Sequence, residues 1–184
     1  MLPKKEIIRL SKFLSLVLRH QPEKIDIALD ENGWTDVEIL LNQSTKNGVK
    51  FTHDILEQVV ETNNKKRFSF NTDKTKIRAN QGHSVEIDLG YPVQKPPAIL
   101  YHGTGEKAVS SILRAGLEKR NRHHVHLSTS IETALEVGKR HGKPVVFLVD
   151  ATAMHADGLA FYLSENKVWL TEQVPAKYLK LLKF

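Results

Sequence analysis

Four short stretches of the chain hold side chains that could do chemistry. In "LRHQP", Arg19 and His20 are adjacent; on a helix they project about 100° apart, with His20 flanking the apolar face and Arg19 pointing nearly opposite to it. Such a pair is either two cations favoured at the negative end of a helix, or an arginine beside the side chain that titrates nearest neutrality. In "NKKRFSF", Arg67 follows two lysines and enters a strand whose Phe68 and Phe70 share one face; alone, this is also the pattern of a solvated charge run. In "YHGT", a strand ends in a turn where Gly103 lets a ligand approach the backbone while His102 and Thr104 supply polar contacts. In "NRHHVHLS", alternation puts His124 and His126 on one strand face, aligned with Arg122, and Val125 on the other. That face suits an anion. A zinc site would need three or four ligands and would have to recruit His102, without Cys or a nearby carboxylate, so no metal is expected.

A fifth stretch, "RANQGHS", gathers the polar side chains of Arg78, Asn80, Gln81, His83 and Ser84 around Gly82. It is either a turn that satisfies its own backbone through Asn80 and Ser84, or a loop that shows polar groups to a ligand.

Composition narrows the partners. The 184 residues are 40% hydrophobic and include no cysteine, which rules out disulfides, thiol catalysis and thiolate metal sites. The net charge of +6 is uneven: Met1–Gly90 carries 14 Lys/Arg against 13 Asp/Glu, whereas Tyr91–Phe184 carries 13 against 8. A basic surplus steers polyanions and holds phosphates, so RNA or a nucleotide fits, although charge alone fits a basic protein without such a partner equally well. No apolar run reaches the roughly eighteen residues of a membrane helix, and "MLPKKEIIRL" lacks the apolar stretch of a signal peptide. The expectation is a cytoplasmic protein with no membrane association.

The elements that must position these residues follow from periodicity. Leu10, Phe13, Leu14 and Val17 recur at helical spacing until Gln21–Pro22 ends the pattern. "GWTDVEILLNQ" starts a second helix at Thr35 or Asp36, and "FTHDILEQVVET" a third with Thr52 as N-cap. "RFSFNTDKTKIRA" alternates about a turn-prone "NTDK", which predicts a β-hairpin. Three short helices before a hairpin have the outline of a winged helix, by fold analogy. "DLGYPVQKPP" breaks all pattern and predicts a linker, giving domains over 1–90 and 91–184. Beyond it, "AILYHGT" reads as a strand, "EKAVSSILRAGL" as a helix closed by Gly116, "HHVHLS" as a strand and "SIETALEVGKRHG" as a helix. "PVVFLVDATAM", "LAFYLS" and "VWLTEQVP" read as strands. The class is α+β, with a strand-rich second lobe.

Taken together, "LSLVLRHQP", "KKRFSF", "IRANQGHS", "LYHGT", "RHHVHLS" and "VWLTEQVP" stand in one order along nearly the whole chain. In that order and spacing the sequence resembles the NAD-dependent RNA (tRNA) 2′-phosphotransferases. The resemblance implies a winged-helix RNA-binding lobe and an ADP-ribosyltransferase-like, β-rich NAD-binding lobe. It implies a catalytic quartet at Arg19, His20, Arg67 and Arg122. It puts the NAD contacts at His102, Gly103, Thr104, His126 and Val168, where many ADP-ribosyltransferases carry Glu at the last of these places. "RANQGHS" resembles the loop between the lobes, with His83 and Ser84 facing the nucleotide phosphates.

The implied reaction removes an internal 2′-phosphate from RNA, as at a tRNA splice junction, and consumes NAD as co-substrate. An RNA 2′-phospho-ADP-ribose intermediate forms as nicotinamide leaves. The ribose 2″-hydroxyl then closes on phosphorus to release 2′-hydroxyl RNA and ADP-ribose 1″,2″-cyclic phosphate. The first nucleophile is already anionic and its leaving group neutral, so that step demands neither general acid nor base. The second loads charge onto phosphate oxygens, which guanidinium groups match in bidentate geometry, with His20 the candidate for proton transfer. No obligatory protein partner is expected. Two other readings stand beside this one: an ADP-ribosyltransferase that stops after one transfer to a nucleic-acid phosphate or protein, and a non-catalytic RNA-binding module.

Overall fold

The opening apolar stripe forms helix α1 (Lys4–Arg19), which buries Leu10, Leu14, Val17 and Leu18. The helix stops because Pro22 disfavours helical backbone at Gln21, which leaves the helical region, and a short 3₁₀ turn follows at Pro22–Ile25. A two-residue strand β1 (Thr35–Asp36) comes next. Asp36 then accepts a hydrogen bond from the Ile39 amide at 3.0 Å and starts helix α2 (Val37–Lys46). Helix α3 (His53–Glu61) starts the same way from Thr52. Strands β2 (Phe68–Phe70) and β3 (Lys76–Ala79) pair antiparallel, Phe68 opposite Ala79 and Phe70 opposite Ile77. β1 adds to the other edge of β3 through Thr35 and Ile77, so the sheet runs β1-β3-β2. A helical stripe alone could not reveal β1, because its two residues sit where the helix pattern begins.

This computed structural model describes residues 2–120 and 122–182, so Asn121, at the head of "NRHHVHLS", lies outside the described residues. The chain divides into two compact units, Met1–Gly90 and Tyr91–Phe184. Each has its own apolar core: Leu14, Leu18, Leu40, Leu56 and Ile77 sit at the centre of the first, Leu100, Phe147, Met154 and Phe161 at the centre of the second.

In the second unit, strand β4 (Ile99–Gly105) is followed by helix α4 (Val109–Ala115), closed by Gly116 at φ +83°, and by strand β5 (Leu117–Glu118). Strand β6 (Val125–Leu127) leads into helix α5 (Ile131–Gly138), capped by Ser130, and then into strand β7 (Pro144–Asp150). "PVVFLVDATAM" is therefore only partly a strand. Asp150 ends it by accepting from the Ala153 amide at 2.9 Å, and the alanine-rich remainder becomes helix α6 (Ala151–Ala156). Strands β8 (Tyr162–Leu163), β9 (Trp169–Thr171), β10 (Gln173–Val174) and β11 (Leu179–Leu181) complete the unit. The expected single strand "VWLTEQVP" is split between two sheets, β9 lying between β6 and β8 while β10 pairs with β5. A third sheet runs β11-β7-β4. All these pairings are antiparallel, and the class is α+β. Among the described residues no helix is long and apolar enough to cross a membrane.

Candidate active site

In the first unit one segment reaches every predicted catalytic residue. Arg19 is the last residue of α1 and His20 its C-cap. The Arg19 carbonyl accepts from the amides of Ser84 (2.8 Å) and Val85 (3.4 Å), so the exposed helix end is tied to "RANQGHS" rather than left to water. The Ser84 hydroxyl lies 2.9 Å from Nδ1 of His20, which is exposed. The guanidinium carbon of half-buried Arg19 stands 5.9 Å from the centre of the Phe68 ring, next in sequence to Arg67. Asn80, 1% exposed, donates from its backbone amide to the Arg67 carbonyl (2.8 Å) and from its side chain to the Lys66 carbonyl (2.7 Å). Two polar side chains of "RANQGHS" are thus spent on its neighbours. Ser84 fastens Arg19 and His20, and Asn80 fastens the entry to β2.

Two more members of that segment are anchored inward. Arg78 stacks its guanidinium 4.6 Å from the Trp34 ring and donates to the Leu89 carbonyl at 3.3 Å. His83 is 1% exposed and lies beside Gly33, whose φ of +80° favours glycine and where a side chain would run into Ile87.

The second unit holds the other cluster. His102 sits on β4, partly buried, and its Nδ1 lies 3.1 Å from the carbonyl oxygen of His126 on β6. A carbonyl can only accept, so Nδ1 carries the proton. Burial pushes the His102 imidazole below the usual histidine range, and the charge of Arg122 adds to this, against the opposing pull of the carbonyl bond. A neutral ring protonated at Nδ1 leaves Nε2 as an acceptor. Arg122 donates from Nη1 to Nδ1 of His126 at 2.9 Å, which fixes the opposite tautomer there, because a guanidinium cannot accept. Strand β4 is joined to the chain just after β6 by two 2.8 Å backbone bonds between Tyr101 and Ser128, which brings the two histidines together.

Alternation along β4 sends His102 and Thr104 to the face opposite Gly103 and Gly105. A side chain at Gly103 would run into the backbone of Ala134 on α5, and one at Gly105 into that of His141. The glycine of "YHGT" is therefore required by the seating of α5, a demand that the expectation of a ligand at the backbone did not include. Thr104 is buried. Val168 stands just before β9; its carbonyl accepts from the Ser164 amide and its amide donates to the Ser164 hydroxyl, both at 3.0 Å.

The sequence reading misjudged His124. A carboxylate is near it in space: Nε2 lies 3.7 Å from Glu172, whose other oxygen accepts from Lys119 at 2.7 Å. Even so, among the described residues no group of three or more His, Cys, Asp or Glu is arranged to hold a metal ion. The structure gathers Arg19, His20, Arg67 and Ser84 in one unit, and His102, Arg122 and His126 in the other. Sequence reasoning passed over Asn63, whose buried amide touches Arg67; its only signal was the turn-prone "TNNKK" after α3.

Residues 5–173 match the family described as RNA 2′-phosphotransferase, Tpt1 / KptA family. Curated relatives agree over nearly full length. The chain is 54% identical to a protein of Flavobacterium johnsoniae, covering 93% of this chain and 94% of that one. It is 54% identical to one of Trichormus variabilis, covering 95% and 96%, and 48% identical to one of Pseudomonas fluorescens, covering 97% and 99%. Each of the three bears the name "Probable RNA 2′-phosphotransferase".

Proposed function

The chain belongs to the RNA 2′-phosphotransferase, Tpt1 / KptA family, and from that premise we propose that it moves an internal RNA 2′-phosphate onto NAD, which it consumes. It is a transferase with an RNA substrate. In this reading the products are 2′-hydroxyl RNA, nicotinamide and ADP-ribose 1″,2″-cyclic phosphate. The observation that carries it is the single brace, residues 78–85, that fastens Arg19, His20 and the backbone of Arg67.

The order helix, strand, two helices, hairpin in Met1–Gly90 supports a winged-helix RNA-binding lobe. The basic surplus and antiparallel sheets of Tyr91–Phe184 support an ADP-ribosyltransferase-like lobe. The donor set there fits a dinucleotide. A neutral His102 offers an acceptor to ribose hydroxyls, and Arg122 offers donors to phosphate. Thr104, on the same strand face as His102, adds a hydroxyl. Gly103, His126 and Val168 shape the same lobe, whereas His83, which is buried, and Ser84, which is bonded to His20, serve the first unit.

The dinucleotide supplies the ribose carbon that takes the phosphate and the hydroxyl that displaces it from RNA. Arg19 and Arg67, with Arg122 as the fourth member of the quartet, hold phosphate oxygens by paired N–H donors as charge builds on them. His20 is exposed, and Ser84 steadies its ring at Nδ1, so Nε2 is the atom that exchanges the proton passing from the attacking hydroxyl to the departing RNA 2′-oxygen.

The test is incubation of the purified chain alone with a 2′-phosphorylated oligonucleotide, with and without NAD and in the presence of chelator. Cyclic phosphate formed only with NAD, and undiminished by EDTA, is the expected outcome. A stable RNA adduct would instead identify a single-transfer ADP-ribosyltransferase, and RNA bound but unchanged would identify a binding module.

A further inference from the structure

Between α3 and β2 the chain makes a tight turn, 63–67, in which Lys66 adopts φ +39°. A side chain larger than glycine costs on the order of 1 kcal/mol or more in this left-handed region, and persists there only when its surroundings dictate it. Two buried asparagines supply that constraint. The Asn63 carbonyl accepts from the Lys66 amide at 2.8 Å, and its side-chain Oδ1 accepts from the Lys65 amide at 3.1 Å. Asn80 donates to the carbonyls of Lys66 and Arg67 from the far side.

Asn63 does more than shape the turn. The same Oδ1 accepts from Nη1 of Arg67 at 3.3 Å, while its Nδ2 donates to the Ser11 hydroxyl at 3.0 Å. Ser11 belongs to α1, the helix that ends in Arg19 and His20. Asn63 is only 9% exposed, so its amide has few other partners to choose from. An asparagine amide has two distinct ends, and here one end reads α1 while the other reads the guanidinium.

We propose that Asn63 is a positioning residue for the reaction: it ties the Arg67 guanidinium to α1, so that Arg67 stands at a fixed setting relative to the helix end that carries Arg19 and His20. It touches no reacting atom. The inference rests on the role given to Arg67 above. A guanidinium clamps phosphate through two parallel N–H donors, and a fork that swings on its long stem loses most of that geometry.

The test is a double-mutant cycle read in single turnover on 2′-phosphorylated RNA with saturating NAD. Asn63→Ala should lower the rate of the phosphate-releasing step about ten- to thirtyfold with little change in RNA affinity. In the Arg67→Ala background it should add less than twofold, because the group it positions is gone. Ser11→Ala, a favourable change on a helix, keeps the question answerable if Asn63→Ala fails to fold. It should cost about three- to tenfold alone and nothing beside Arg67→Ala. A residue that served stability alone would multiply its effect with Arg67→Ala, and that result overturns the inference, as would wild-type rates in both single variants. Failure of the unaltered protein to release phosphate at all would sink the reading of the reaction instead, and is scored separately.

Discussion

His20 and His102 are handled in opposite ways by the two units. His20 is exposed at a helix end and meets a serine hydroxyl, which both donates and accepts and so suits either tautomer or the charged ring. His102 lies on a strand, partly buried, and meets a backbone carbonyl, which permits one tautomer and, with burial, keeps the ring neutral. The first environment tolerates a proton coming and going. The second forbids it and instead fixes an acceptor in space. In the proposed reaction these surroundings suit His20 to proton transfer and His102 to binding.

The largest effects should come from the first unit. Arg67→Ala removes the bidentate phosphate contact proposed for this residue, so the phosphate-releasing step should fall by about a hundredfold or more and the RNA–ADP-ribose species should build up, as gel resolution of labelled RNA would show. Arg67→Lys should recover only part of this, because ammonium keeps the charge and loses the fork. Full recovery with lysine would reduce Arg67 to a point charge.

A smaller, different loss is expected in the second unit. His102→Ala or Thr104→Val should weaken NAD by about three- to tenfold, the worth of one hydrogen bond, and leave RNA affinity alone. Separate titrations of the two ligands check this; equal losses would mean that the residues serve the fold and not the nucleotide. Ser84→Ala removes the hydroxyl from Nδ1 of His20 and should slow turnover about fivefold, with Ser84→Thr retaining most of it. A change in NAD affinity and none in rate would return Ser84 to the nucleotide.

The smallest effect concerns pH. Above about 6.5 His102 is neutral whether folded or unfolded and contributes no pH dependence. As pH falls below that, the unfolded chain takes up a proton that folded His102 resists, so stability declines until the depressed value is passed. Thermal melts of His102→Asn should be flatter between neutrality and pH 5 than those of the unaltered chain. An identical slope would mean that the carbonyl bond cancels the effect of burial.

Much of this was legible in the sequence because its physics is local. The apolar stripe of α1, the caps at Asp36 and Thr52, the stop at Gly116 and the hairpin about "NTDK" are each decided within a few residues. What was hidden depends on partners distant in the chain. β1 exists only because Ile77 arrives to pair with Thr35, and "VWLTEQVP" divides because β9 pairs with β6 while β10 pairs with β5. The polarity of "RANQGHS" pointed to a loop with a task, but its task at Arg19 and Lys66 lies 65 and 14 residues back along the chain. Gly103 was read as open to a ligand, since nothing in "YHGT" announces that Ala134 will lie against it.

The division of labour is tested most directly by one time course run on His20→Ala and His102→Ala, with labelled 2′-phosphorylated RNA at low and at high NAD. His20→Ala should turn RNA into the slower-migrating ADP-ribose adduct and stall there at either concentration. His102→Ala should leave RNA untouched at low NAD and carry it through to product when NAD is raised. If both folded variants halt at the same stage, or if His20→Ala leaves RNA unmodified while bound NAD is intact, the two histidines do not divide the reaction as their surroundings indicate.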